Sequence, residues 1–157
     1  MSGKFRYISK ANSPDMKCVK NILQNKSIAI YSVIPETSVL EALQVMMDKN
    51  ISALLVMEGP VLKGIFTERD YARKIILQGK SSKDTPVAEI MTSQLETVGL
   101  NTSIDECMQI MTTKHIRHLP IVEDAKVGGM ISIGDLVKFV IEDQKQTIEQ
   151  LQSYISS

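Results

Sequence analysis

The amino-acid sequence predicts an α+β fold of two β-α-β-β-α units in a pseudo-two-fold tandem, each a small sheet packed against two helices. Three observations lead to this prediction. Residues 37–76 align with residues 102–141 without a gap and match at twelve of forty positions, where unrelated segments would match at about one in fifteen. Each copy contains a helix-start signal, and each ends with glycine, a hydroxyl residue and aspartate. Such a duplicated unit usually buries one face against its neighbour.

The first helix of each copy begins at a capping box, in which serine precedes glutamate by three residues, at Ser38 and Ser103. This pair satisfies two backbone N–H groups at a helix start. Apolar residues follow at helical spacing, including methionines that are most simply core residues. We expect the two helices to end near Asn50 and His115.

Short apolar runs and turn residues predict three strands in each copy, one before the first helix and two after it. In chain order the predicted strands end at residues 33, 57 and 66, and at residues 98, 122 and 131. The strands before the helices are predicted over residues 28–33 and 95–98. A second helix then begins at Thr67 or Ser132.

The predicted boundaries follow the two copies of the repeat and the residues between them that interrupt regular structure. Glycine, serine, lysine and proline over residues 78–86 oppose regular structure and indicate a linker. The predicted segments are an N-terminal arm 1–17, a first unit 18–77, the linker 78–86, a second unit 87–143 and a C-terminal helical extension 144–157, the two units forming one module.

The recurring end of each copy, Gly64 to Asp70 and Gly129 to Asp135, allows two interpretations. In the first, the hydroxyl and the acid only cap a helix, since the hydroxyl accepts a backbone N–H and the acid favours the positive end of the helix. In the second, the same helix start holds a ligand: free N–H groups suit phosphate, and a carboxylate can accept both hydroxyls of a ribose. A capping threonine can also touch a ligand, so the two interpretations are compatible.

These residues carry a resemblance. The β-α-β-β-α repeat, the ending Gly-x-x-[Thr/Ser]-x-x-Asp and the strand Leu119-Pro120-Ile121-Val122 resemble cystathionine-β-synthase (CBS) domains over roughly residues 18–143. The tandem resembles a CBS pair, or Bateman module, of the small stand-alone type. The resemblance implies a regulatory module rather than an enzyme, without a catalytic cofactor, that binds an adenosyl compound: AMP, ADP, ATP, NAD(H) or S-adenosylmethionine.

The resemblance also implies site residues in two places, the motif itself and the strand ends that enclose adenine. In the family the motif aspartate takes the ribose hydroxyls. The first site would comprise Ser32, Ile34, Ala53, Thr67 and Asp70. The second would comprise Thr97, Leu100, His118, Pro120, Ser132 and Asp135.

The two copies differ where a phosphate tail would lie. Arg69 and Arg73 of the first copy correspond to Gly134 and Lys138 of the second, and Arg117 replaces a serine. Arginine forms the better fork for phosphate. We therefore expect a phosphate tail on the Asp70 side, with Arg117 reaching in from the other half.

Other features of the sequence restrict the function. The formal net charge is zero and tryptophan is absent, so no nucleic-acid partner is expected. No run approaches the roughly 18 apolar residues of a membrane span, and the two distant cysteines favour a reducing, cytoplasmic location. Cys107, His115 and His118 do not form a converging ligand set, and no nucleophile–base or Walker motif is present, so neither a metal nor catalysis is expected.

The C-terminal segment predicts a helix with an apolar seam. Residues 137, 141, 144, 148, 151 and 155 alternate spacings of four and three, with Gln144 as a polar break. This pattern is typical of a coiled-coil seam. It leaves two possibilities open: a helix that folds back on its own chain, or a homodimer contact, which the tendency of CBS pairs to form disc-like dimers also favours.

Two functions follow from the sequence. The first is a homodimeric sensor that binds an adenine nucleotide and thereby alters an unknown partner protein. The alternative is a ligand-free dimeric interaction module with vestigial clefts.

Overall fold

The computed structural model describes residues 16–24 and 30–156, so most of the predicted arm 1–17 lies outside the described residues. Helices and short strands alternate along the described chain. In order they are α1 Val19–Gln24, β1 Ser32–Val33, α2 Val39–Lys49, β2 Ala53–Glu58, β3 Val61–Thr67, α3 Glu68–Asp70, a π-helix Tyr71–Ile76, α4 Val87–Ile90, α5 Ile104–Lys114, β4 His118–Glu123, β5 Lys126–Ser132 and α6 Ile133–Ser156.

The described chain divides into two compact units with separate cores. The first contains residues 30–97 and 122–129, and the second contains residues 16–24, 98–121 and 130–156. Six positions recur in both cores at an offset of 65 residues. They are Val39, Ala42, Met46, Leu54, Val56 and Phe66 in the first core, and Ile104, Cys107, Met111, Leu119, Ile121 and Ile131 in the second. The sequence repeat is therefore a repeat of buried positions, and the predicted α+β fold of two such units is confirmed.

The two short helices, α1 and α4, are exchanged relative to the order of the repeats. Helix α1 precedes the first copy, yet Val19 and Ile22 are buried in the second core. Helix α4 precedes the second copy, yet Val87 and Ile90 are buried in the first core. The predicted units 18–77 and 87–143 are each one continuous stretch of sequence, whereas each compact unit of the structure combines separate stretches.

Matching backbone hydrogen bonds fix these two short helices. The Val19 N–H donates to the Thr102 carbonyl at 2.9 Å, and the Val87 N–H donates to the Thr37 carbonyl at 2.8 Å. Thr37 and Thr102 are equivalent positions of the repeat, as are Val19 and Val87 under the three-residue shift in the alignment. The exchange therefore uses the same contacts in both units.

The first helices of both copies begin and end as the sequence predicts. The side chains of Ser38 and Ser103 accept from the N–H groups of Glu41 and Glu106. At the other ends Asn50 and His115 adopt left-handed backbone conformations with φ of 55°, which favours asparagine among non-glycine residues. These helix bounds are confirmed.

In the first copy, β1, β2 and β3 form a three-stranded sheet in that order. Strand β1 is parallel to β2, and β2 is antiparallel to β3. Strand β1 covers only Ser32 and Val33 of the predicted residues 28–33, of which residues 28 and 29 lie outside the described part.

The prediction of a strand over residues 95–98 was wrong, because only an isolated parallel bridge between Val98 and Ile121 forms there. Proline explains the difference. In the first copy the Leu55 N–H donates to the Tyr31 carbonyl at 3.3 Å. The equivalent of Leu55 is Pro120, which has no N–H to donate. The Pro120 carbonyl still accepts from the Val98 N–H at 3.0 Å, so one bridge remains.

Candidate functional site

Both recurring motifs form a reciprocal helix cap. The Asp70 N–H donates to Thr67 Oγ1 at 3.1 Å, and the Thr67 N–H donates to Asp70 Oδ2 at 3.0 Å. In the second copy, the Asp135 N–H donates to Ser132 Oγ at 3.1 Å, and the Ser132 N–H donates to Asp135 Oδ2 at 2.9 Å. The capping interpretation of the motif is confirmed in both copies, and it leaves ligand binding to be argued separately.

The first N–H group of each capped helix already has a partner. The Glu68 N–H donates to the Ser52 carbonyl at 3.1 Å, and the Ile133 N–H donates to the Arg117 carbonyl at 2.8 Å. Together with the cap, this leaves fewer free N–H groups for a phosphate than the sequence suggested. A phosphate at either motif therefore depends on basic side chains more than on the helix start.

The second carboxylate oxygen of Asp70 is held by two further side chains. Asp70 Oδ1 accepts from Thr92 Oγ1 at 3.3 Å and pairs with Lys74 Nζ at 3.2 Å. Lys74 Nζ also donates to the Ile90 carbonyl at 2.9 Å. The buried carboxylate thus joins the start of its own helix to the segment that follows α4.

Lys74 and Thr92 were missed in reasoning from the sequence. Lys74 stands four residues after Asp70, and this spacing brings side chains together on a helix, so the signal was available. Thr92 lies 22 residues from Asp70, and no local pattern links them.

A close backbone approach explains the glycine of the first motif. The Ile65 N–H donates to the Thr92 carbonyl and the Thr92 N–H donates to the Ile65 carbonyl, both at 2.9 Å. A Cβ at Gly64 would lie 2.8 Å from both the Thr92 carbonyl oxygen and Met91 Sδ. Only glycine lets the segment at residues 91–92 pair with β3 in this way.

The second motif has a different chemical environment. Phe139 stands at the position equivalent to Lys74, and Gly134 at the position equivalent to Arg69. Asp135 is half-buried, whereas Asp70 is only 7% exposed. The helix of the first motif therefore carries more basic side chains than that of the second, although Glu68 lies among them and Arg117 lies beside the second motif. The first aspartate is also the more enclosed.

Strand register brings part of the first predicted site together. Ala53 pairs with Thr67, which places the start of β2 beside the motif. Ser32 pairs with Leu55, two residues further along β2. Because β1 and β2 are parallel, this register places Ile34 level with a position four residues beyond Ala53. That is about 13 Å along the strand direction at roughly 3.3 Å per residue. The register does not bring Ile34 beside Ala53.

The residues predicted for the second site are less uniform. His118 is half-buried at the start of β4, and Pro120 is buried two residues later. Leu100 packs against the second core, and its carbonyl accepts from Lys20 N–H at 2.9 Å, which is a structural role. Thr97 belongs to the first compact unit.

The exposed arginines complete the set of predicted site residues. Arg69 and Arg73 lie on the helix that starts at the first motif, and Arg117 immediately precedes β4. Their exposure leaves them accessible to an anionic ligand.

The surroundings of His118 favour the neutral form of its imidazole. Burial lowers the pKa of its imidazole from the ordinary value of 6.5; the Asp135 carboxylate acts against this change, and Arg117 adds to it. A neutral imidazole beside the motif can donate one hydrogen bond and accept another.

This lowered pKa predicts a pH dependence of stability. In acid the unfolded chain takes up a proton at His118 more readily than the folded chain does. The contribution of His118 to the free energy of unfolding is therefore fully present above about pH 6.5 and is lost as the pH falls below it. Urea unfolding at several values between about pH 7.5 and 5 measures this slope. His118→Asn is expected to reduce it. The matched variant, His115→Asn, alters the chain's other histidine, which is exposed; equal slopes in both variants would contradict the assignment.

Metal and thiol chemistry receive no support from the described part of the chain. Within residues 16–24 and 30–156, no three His, Cys, Asp or Glu side chains group closely enough to hold a metal ion. Burial raises the pKa of the Cys107 thiol to about 12, so it is unreactive at neutral pH. No helix in the described residues is sufficiently long and apolar to span a membrane.

Comparison with known families is consistent with this geometry. The model of the CBS domain family matches residues 19–77 and residues 87–142. The chain is 43% identical over 125 residues to the mitochondrial CBS domain-containing protein CBSX3 of Arabidopsis thaliana, covering 76% of this chain but 61% of that protein. It is 35% identical to the CBS domain-containing protein YhcV of Bacillus subtilis, covering 77% of this chain and 84% of that protein.

Solved structures show the same fold. A protein with CBS domains from Burkholderia ambifaria is 49% identical, with a TM-score of 0.79, covering 82% of this chain and 96% of that chain. The CBS domain pair of protein MJ0100, solved with 5′-methylthioadenosine and S-adenosylmethionine, is 26% identical, with a TM-score of 0.72, covering 82% of this chain and 98% of that one.

Proposed function

Because the chain belongs to the CBS domain family and carries two copies of the domain, we propose that it is a regulatory module that binds an adenosyl ligand and is not an enzyme. The observation that carries this proposal is the duplicated motif, in which a strand end, a hydroxyl and an aspartate are held in a fixed cap in both copies. The adenosyl ligands of the MJ0100 pair support the ligand class.

We propose the Asp70 motif for a ligand with a phosphate tail: AMP, ADP, ATP or NAD(H). Arg69 and Arg73 are exposed beside Asp70, and Lys74 lies 3.2 Å from its carboxylate. The equivalent positions in the second copy are glycine, lysine and phenylalanine. Guanidinium groups bind phosphate with two parallel hydrogen bonds. The first copy has two of them on the motif helix and the second copy has one, Arg117 before β4, so the first copy suits the anionic ligand better.

The contacts of Asp70 provide a means of coupling. A ribose that donates its hydroxyls to this carboxylate replaces the hydrogen bond from Thr92 or the ion pair with Lys74, since both occupy Asp70 Oδ1. Binding therefore loosens the segment at residues 90–92. The coupling can be no larger than the difference in ligand affinity between the held and released states.

The proposal includes a homodimer and a cytoplasmic location. The apolar face of α6 supports the homodimer, since Ile148, Leu151 and Ile155 are all exposed. The location stays a prediction from cysteine usage, and the relative CBSX3 is mitochondrial. The alternative function, a dimeric interaction module without ligand, is favoured by one observation: both Asp70 carboxylate oxygens already have partners within the protein.

Titration calorimetry tests the proposal. Purified protein, stripped of bound ligand, is titrated with AMP, ATP, NADH and S-adenosylmethionine. We expect saturable binding of at least one phosphorylated ligand, weakening with salt because the tail contacts exposed arginines. Hydrogen exchange at the Ile65 and Thr92 amides is expected to quicken on binding, since those N–H groups join the segment to β3. No heat with any ligand from folded protein would favour the interaction module.

A further inference from the structure

The C-terminal half of α6 contributes no side chain to either core within the described chain. Leu136, near the start of the helix, is completely buried in the second core. Every residue from 144 to 155 is exposed, although the helix continues to Ser156. Isolated helices of this length are marginal in water, so a surface that covers this half would stabilise it.

Helix α6 carries an apolar seam, defined here as residues 137, 141, 144, 148, 151 and 155, of which the last four lie in the exposed stretch 144–155. In heptad notation, Ile141, Ile148 and Ile155 occupy a positions, and Val137, Gln144 and Leu151 occupy d positions. The five apolar members are 46% to 82% exposed. An a/d seam of this kind packs knobs into the holes of a second helix.

We infer that the seam binds the seam of a second copy of this chain in a parallel, in-register two-helix coil. The inference deepens the proposed homodimer, on which it rests, and does not depend on ligand binding.

Gln144 favours the parallel arrangement. In a parallel, in-register coil every seam residue faces its own counterpart, so the Gln144 amides of the two copies can hydrogen-bond to each other. An antiparallel pair that overlaps the whole seam would place Gln144 opposite Ile148 and leave the amide without a partner. A single polar residue in a seam is a known determinant of register and orientation.

The flanking charges favour the same arrangement. Lys138 and Lys145 occupy e positions, and the g positions are Val140, Thr147 and Tyr154. In a parallel coil e faces g, so the lysines face uncharged side chains. In the antiparallel pair e faces e, and Lys145 would face Lys145.

The polar face argues against a membrane surface as the occupant. The exposed charges of this helix are balanced, with Glu142 and Glu149 against Lys138 and Lys145. Helices that lie in the membrane interface are rich in lysine and arginine on the polar face. A self-complementary seam whose outer face has no excess of basic residues fits a second copy better.

A cysteine cross-linking experiment tests the inference. Leu151→Cys in the full chain is oxidised with glutathione disulfide, and dimers are scored by non-reducing electrophoresis. In the parallel coil position 151 faces its own counterpart, within the span of a disulfide, so most of the chain is expected to cross-link. The matched variant is Glu149→Cys, whose position faces away from the seam. Cross-linking through the native cysteines is expected to be low, because Cys18 and Cys107 are both buried.

Light scattering separates this inference from the dimer itself. Leu151→Asp is expected to shift the protein from dimer to monomer, or to raise the dimer dissociation constant at least tenfold. Gln150→Asp, which adds the same charge outside the seam, should leave the dimer unchanged.

Two outcomes would distinguish the parallel coil from the dimer itself. If the protein is a dimer but Leu151→Cys cross-links no better than Glu149→Cys, the parallel coil is overturned and the dimer is not. If the wild-type protein is a monomer, both are overturned. Cross-linking only in a mixture of Ile141→Cys and Leu151→Cys would show the antiparallel pair and overturn the inference.

Discussion

Asp70→Asn is expected to weaken binding of a phosphorylated adenosyl ligand by about a hundredfold, whereas Asp135→Asn retains it. A hydrogen bond to a charged group contributes about 1.5–3 kcal/mol, and two ribose hydroxyls lose a charged acceptor in the variant. A loss of about 3 kcal/mol corresponds to the expected factor. Calorimetric titration of the two variants beside the wild type measures it.

Asparagine is the informative substitution because it preserves the cap. Its amide oxygen can still accept from the Thr67 N–H, as Asp70 Oδ2 does at 3.0 Å. Melting curves confirm that each variant is folded. Loss of binding in Asp135→Asn alone would reverse the assignment of the two motifs, and unchanged binding in both would reduce the motifs to helix caps.

Gly64→Ala is expected to destabilise the protein by about 1–3 kcal/mol, the usual cost of overpacking. The added Cβ would lie 2.8 Å from the Thr92 carbonyl oxygen, a backbone atom, as well as from the more adaptable Met91 side chain. The paired hydrogen bonds between Ile65 and Thr92 must then lengthen. Urea unfolding measures the free-energy difference.

Gly134→Ala is the control, since it adds the same methyl group within the second motif, at the position equivalent to Arg69 rather than to Gly64. There the nearest atom to a new Cβ is Ser132 Oγ at 3.6 Å, an ordinary contact. Alanine is also favoured over glycine in a helix, so this variant is expected to be neutral or more stable. Equal destabilisation in both variants would contradict the role of the close approach at Gly64.

The repeated elements could be predicted because their signals are local. Ser38 and Ser103 lie three residues before their glutamates, and apolar residues recur at helical spacing after them. The left-handed residues Asn50 and His115 follow where the pattern stops. Likewise, the caps at the two aspartates need only four consecutive residues.

Features that depend on distant residues could not be predicted in the same way. The contact between Thr92 and Asp70 joins two segments with no shared pattern. The missing strand at residues 95–98 depends on Pro120, whose effect appears only when the two segments are paired. The site residues carried over from the resemblance remain predictions, with Ile34 the least supported by the strand register.

The exchange of α1 and α4 has a consequence for how the chain folds during synthesis. The buried residues of the first core all lie between Val39 and Ile90, so this core can close soon after Ile90 has left the ribosome, and residues 122–129 join the same unit later. The second core joins Val19 to Leu136, so α1 cannot be buried there until β5 and the start of α6 have been synthesised. Long-range closure of this kind slows folding. The apolar side chains of α1 are therefore exposed throughout most of translation, and that interval is when the nascent chain is most prone to aggregate.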